Sequence, residues 1–408
     1  MARLAPILSR GRAAADDIRT PPDYFTFAPP PAGRAYTDPA FGTFILRVTD
    51  ASVTEDVLDR GPLAYIINEY STVSAFNRSG SRLLLQHESV FALYDRAGRL
   101  LSVLPRDVNS RSEPRWSVHD ELVFFYLDGN ELRRYDLATG ESLLLRRFDE
   151  YGEITGRGEN DLSFDGDHLA LVGDEHEVFL YELSTDTKGA VTDTLSFGTF
   201  DQVMVTPDNH VLVGWHAIGP DRGKGLELFD RSMRFVKQVS QSGGHMDVGR
   251  DLDGAEIVVR INAADPVPLC SNGIVKVRLG DGVQTCLLTL DWSLASHVSV
   301  PAAGSWIFVS TYAPSDPSPE QGWVAHTNEI LQVRLDGTEV RRLAHHRSRP
   351  FNDYNYIPRL SSSRDGTRLV YSSNFGLQQL LGLPSDYSDV FIIGVPTTDG
   401  NRPHRPTG

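Results

Sequence analysis

The chain has two cysteines in 408 residues, four lysines (188, 224, 237 and 276) among its 39 basic residues, and no long apolar run. Each scarcity excludes something. No stretch approaches the roughly 18 apolar residues of a membrane-spanning helix. The amino-terminal patch Leu4-Ala5-Pro6-Ile7-Leu8 falls short of the ~7–15 residues of a signal-peptide core, so a cytoplasmic protein without membrane contact is expected. Cys270 and Cys286 lack metal-site spacing. If residues 274–279 and 285–290 pair across Gly280-Asp281-Gly282, Cys286 faces Lys276 and Cys270 lies roughly 20 Å away along the strand, so two free thiols are predicted. A net charge of −15, with neither sign gathered in blocks, repels phosphate backbones and excludes nucleic acid as a partner. The dominance of Arg reflects either a compositional bias or a use of planar forks on carboxylates.

What the chain does have is a repeat. Tight turns fall at Ser79-Gly80, His119-Asp120, Asp165-Gly166, Asp208-Asn209, Asp253-Gly254, Ala303-Gly304 and Asp365-Gly366, at intervals of 40 to 62 residues, and periods in this range mark repeat architectures. A strand candidate precedes each turn and a more apolar one follows, such as Leu122-Val123-Phe124-Phe125 or Trp306-Ile307-Phe308-Val309. A third run alternates and often ends on an acid, as in Phe91-Ala92-Leu93-Tyr94-Asp95, and a weaker fourth closes the unit. Four antiparallel strands per repeat make a propeller blade. Seven copies predict an all-β, seven-bladed β-propeller.

The last copy stops after Val390-Phe391-Ile392-Ile393 without a fourth strand, whereas residues 43–49 supply a spare one before the first copy. Pairing the two closes the ring and covers an open edge. The expected organisation is an extended arm over 1–40, the propeller over 41–396 and a loose tail over 397–408, in a monomer.

In a propeller the innermost strands begin at one face, and the connections between second and third strands return to it. Those connections are brief in the first three copies but expand in the last four: Trp215 to Gly225, Asn262 to Gly273, Thr311 to Asn328, and Ser373 to Asp389. Adjacent long loops on a rigid ring predict a cleft. Beneath them the inner-strand starts offer Tyr70, Glu113 to Arg115, Glu159-Asn160-Asp161, Asp201, His245-Met246-Asp247, Ser296-His297, and Tyr354 to Tyr356 with Arg359. Single polar residues at such positions often serve channel water and neighbouring backbone. His245 and His297 occupy the same place in consecutive copies, and such a pair suits proton transfer or shared metal ligation.

The run Ser361-Ser362-Ser363-Arg364-Asp365-Gly366-Thr367-Arg368-Leu369-Val370-Tyr371-Ser372-Ser373 resembles the S-x-S-x-D-G hallmark of TolB-like propellers. Among these, the chain is similar in order and placement to the oligogalacturonate-lyase type of polysaccharide lyase. The resemblance implies that His245 and His297 match a catalytic-site His and a metal-binding His at consecutive inner-strand starts. That family also has H-x-H before the last hallmark; here those places are Ile357 and Arg359. The metal expected is therefore at most a weakly held divalent cation, with His297 and Asp247 or Asn355 as ligands. The family's basic Arg corresponds loosely to Arg222.

These readings combine into one expectation, a lyase that cleaves short uronate-containing oligosaccharides by β-elimination at the channel mouth. His245, Tyr356 and Arg222 carry the catalytic roles in it. Arg115, Arg359, Asn160, His297 and Asp247 bind an acidic oligosaccharide or other small polar ligand, the Arg forks gripping its carboxylate. The alternative is a propeller that binds a ligand or protein without catalysis, since one fold hosts both.

Overall fold

The computed structural model describes residues 17–395, apart from Pro22, Asp59, 263–269, Ser271 and the side chain of Gln379. Seven antiparallel sheets form a ring. Each inner strand is followed outward by its hairpin partners, as in blade 5 (Met246–Arg250, Glu256–Asn262, Gly273–Arg278, Gln284–Thr289) and blade 6 (Ala295–Ser299, Trp306–Tyr312, Glu329–Arg334, Val340–His345). Alternating β-branched, leucine and aromatic residues bury the sheet faces, and the apolar clusters lie between successive blades. One such cluster joins Ile257 and Val259 of blade 5 to Val298, Ile307 and Val309 of blade 6.

The ring closes as the sequence predicts. Phe44–Arg47 pairs with Asp389–Gly394 in the register Ile45↔Ile393, Leu46↔Ile392, Arg47↔Phe391. Ala35–Thr37, read from the sequence as part of the arm, adds a fifth strand outside it. A buried network locks the seam: the Arg47 guanidinium donates to Asp389 at 2.7 Å, and the Thr49 hydroxyl and Ala51 amide donate to the other carboxylate oxygen at 3.0 and 2.9 Å. Among the described arm residues, Tyr24 packs on blade 6, where it meets Trp323 at right angles and accepts a hydrogen bond from Asn328, and Phe27 packs on Phe375 of blade 7. The tail lies outside the described residues.

The hallmark residues build a turn. Ser363 donates to Asp365 at 2.6 Å, Asp365 accepts from the Thr367 amide, the Arg368 amide donates to Ser363, and Gly366 takes the positive φ of 67°. Ser163, Asp165 and Gly166 repeat the arrangement in blade 3. The motif therefore specifies the blade rather than any chemistry.

One expectation fails outright, because Cys270 and Cys286 form a disulfide. The strand does not extend back to Cys270; it begins at Gly273, and Cys270 is held near the end of the second strand by Asn262, which donates to its carbonyl. A bulge between Ile274 and Val275 also moves Cys286 opposite Val275 instead of Lys276. The Cα atoms lie 5.5 Å apart, within the range a disulfide spans.

Candidate functional site

The expanded connections of blades 4 to 7 leave their strand ends on the face where the inner strands begin, and the His pair lies on that face. His245 precedes its inner strand, and His297 is the third residue of the next. Their imidazoles stack with centroids 4.1 Å apart and planes 12° from parallel. Tyr70 lies beside the stack with its ring perpendicular to both, at 6.4 Å from His245 and 5.6 Å from His297, while Tyr312 stacks against His297 at 5.8 Å.

The two rings differ in role. His245 is half-buried, and its Nδ1 lies 2.9 Å from the Ser296 carbonyl. A carbonyl only accepts, so Nδ1 carries a proton, and in the neutral ring the lone pair is on Nε2. His297 is 2% exposed. Burial, the neighbouring His245 and the Arg359 charge hold it neutral, well below the ordinary imidazole range.

Arg359 stands next to this pair at 2% exposure. Its Nη1 donates to the Glu69 carbonyl at 3.1 Å, and its guanidinium lies over the Tyr354 ring at 3.9 Å. Among the described residues its Nε and Nη2 have no hydrogen-bond partner. Two unmet donors on one buried cation are costly, each by about 1–3 kcal/mol, and their parallel geometry matches a carboxylate.

Glu159 lies within the field of the guanidinium, and the Glu69 carboxyl sits one step further, on Arg115. Glu159 is pushed up to about 8 by burial and by Asp201, against the opposing pull of Tyr70 and Arg359. Glu69 is pushed up to about 7 by burial, with Arg115 opposing and Glu113 and Asp161 adding.

The other sequence-predicted residues go elsewhere. Arg115 is already paired: its Nη1 donates to both oxygens of Glu69, at 2.9 and 2.8 Å, and Glu113 sits at 3.5 Å. Asn160 spans Ala170 and the Val205 amide of the next blade, and Asp247 accepts from Val248 and from Val300 of the next blade. Both staple adjacent inner strands, so their polar groups are consumed by backbone rather than free for a ligand. Arg222 lies on the outer half of blade 4, pairing with Glu227 at 2.9 Å and covering the Phe235 ring at 3.7 Å. Tyr356 is buried with its hydroxyl turned to Asn352, facing Asp353 and Asp386 instead of the His pair. Its neighbour Tyr354 and the blade 1 residue Tyr70 take the place expected of it. Both stand among the inner-strand starts in the sequence, but nothing there shows which side chains turn to the His pair.

No family model matches the chain, and no curated protein sequence does. Solved structures do. An oligogalacturonate lyase in complex with manganese matches with a TM-score of 0.60 at 16% identity, over 89% of this chain and 96% of that one. Oligogalacturonate lyase from Vibrio parahaemolyticus matches at 0.61 and 14%, over 89% and 97%. The chain has the fold of these lyases.

The manganese of the first structure raises the question of a cation here. Among the described residues no three or more His, Cys, Asp or Glu side chains gather as a cation site. Stacked imidazoles aim their lone pairs in parallel, so the two cannot converge on one ion at the ~2.0–2.1 Å of a metal–nitrogen bond. The Arg359 charge that lowers His297 also repels a second cation. The two imidazoles do not fit one shared metal ion.

Proposed function

We propose that this propeller is a lyase for short 4-linked uronate oligosaccharides. The observation that carries the proposal is the buried Arg359 fork, unpaired at Nε and Nη2, beside the stacked His245 and His297. Support also comes from the fold shared with the two oligogalacturonate lyases.

β-Elimination needs the C5 proton of a uronate made acidic, a base to take it and an exit for the C4 substituent. Arg359 binds the carboxylate through its two free donors and stabilises the negative charge that develops on it as C5–H breaks. The Tyr354 ring lies against the guanidinium plane. His245 takes the proton at Nε2, with Nδ1–H anchored on Ser296 to fix the tautomer. His297, neutral and stacked, lets the charge form on its neighbour alone. In this arrangement a permanent guanidinium charge does what a bound cation would do for the carboxylate.

The test is a panel of oligogalacturonates and other uronate oligosaccharides, read by the ultraviolet absorbance of the C4=C5 unsaturated product. Turnover that is lost in His245→Ala, with the thermal melt unchanged, supports the proposal; turnover unaffected by that change removes it.

A further inference from the structure

The elimination just described needs a proton for the departing oxygen, and Arg359, His245 and His297 do not give one. Tyr70 comes from the start of blade 1, across the channel mouth from blades 5 and 6, and is 5% exposed. Its ring stands perpendicular to both imidazoles, beside their stack, and it lies within the fields of Tyr354 and Arg359. A substrate held by Arg359 and attacked by His245 therefore has Tyr70 on its border. Glu159, between the inner strand Ile154–Thr155 and the second strand His168–Gly173 of blade 3, lies beside the Tyr70 hydroxyl. Its Oε2 is buried with no hydrogen-bond partner among the described residues.

We propose that Tyr70 gives the proton to the departing O4, and that Glu159 beside it restores that proton. This assignment rests on the lyase reading of the site. As His245 removes the C5 proton, the C5–H electrons form the C4=C5 bond and the C4–O4 bond breaks. O4 takes the Tyr70 proton, Tyr70 takes the Glu159 proton, and His245 and Glu159 re-equilibrate with water. Atoms and charge balance with no co-reactant.

The environment suits both roles. Burial, with Glu159 and Asp201 adding, keeps the Tyr70 phenol far above its ordinary range and so protonated at rest. The groups facing Glu159 are Tyr70 of blade 1, Asp201 of blade 4 and Arg359 of blade 7, and burial with Asp201 outweighs the other two. A carboxyl held near 8 still carries its proton at neutral pH. Glu159 acts through Tyr70 and is a positioning residue, whereas Tyr70 meets the substrate.

The experiment compares wild type, Tyr70→Phe and Glu159→Gln on two probes, a tri-galacturonate and a uronate carrying an aryl group at O4, whose phenolate leaves without a proton. Tyr70→Phe is expected to lose about 10²–10⁴-fold on the trisaccharide, the usual share of a general acid, and to stay near wild type on the aryl probe. Wild-type kcat/KM on the trisaccharide should fall as pH rises through about 8, and Glu159→Gln should lack that limb. Equal losses on both probes, no loss on either, or a limb that persists in Glu159→Gln would overturn the assignment while leaving the lyase reading standing. A wild-type protein inactive on both probes ends the lyase reading and the assignment with it.

Discussion

His245 and His297 lie ring on ring, 4.1 Å between centroids, and only His245 is anchored through Nδ1 to a backbone carbonyl. Parallel lone pairs serve proton transfer and not chelation of one ion. Prolonged dialysis against a chelator should leave the activity and the melt unchanged, and elemental analysis should find no stoichiometric zinc. A chelator-sensitive activity restored by manganese would contradict this reading.

Arg359 carries two buried donors that no described residue satisfies. Arg359→Lys keeps the charge but removes the fork, and should raise KM about tenfold or more, the worth of one charge-assisted hydrogen bond of about 1.5–3 kcal/mol. Arg359→Met should lose turnover yet melt no lower than wild type, because it removes an unpaired buried charge. A lower melt in Arg359→Met would show that the guanidinium is structural.

The seam between the chain ends depends on Arg47 and Asp389, whose side chains are both buried. Arg47→Met leaves the Asp389 carboxylate without its countercharge and should cost about 3–5 kcal/mol in denaturant unfolding. Deleting residues 1–50 removes the strand that pairs with Asp389–Gly394 and exposes that edge. The truncated protein should aggregate; a monomer with an unchanged melt would refute the closure.

The Cys270–Cys286 bond spans a sequence separation of 16. Thiol titration of the denatured, unreduced protein should find no free thiol. Cys286→Ser should lower stability by about 3 kcal/mol, the loop-closure term for a ring of that size. Two titratable thiols and no effect of the substitution would restore the expectation drawn from the sequence.

What was legible in the sequence was whatever repeats. The turn dipeptides set blade number and register, the unequal connections marked the elaborated face, and equivalent placement brought His245 and His297 together. Side-chain direction was not legible. Asn160, Asp247 and Arg115 stand at inner-strand starts as His245 does, yet their polar groups are consumed by the next blade's backbone or by Glu69. Tyr354 and Tyr356 differ by two positions in a short helical turn, and the turn decides which ring Arg359 covers. Cys270 was misplaced because strand rise was assumed before the strand begins.

The central claim is that Arg359 and His245 work on one uronate. The most direct measurement is the rate of unsaturated product formation from oligogalacturonates by wild type, His245→Gln and Arg359→Lys, with each variant's folding checked by its melt. The account predicts a rise in ultraviolet absorbance for wild type, none above background for His245→Gln, and for Arg359→Lys a rise only at substrate concentrations about tenfold higher or more. Product formed equally well by all three folded proteins would contradict it.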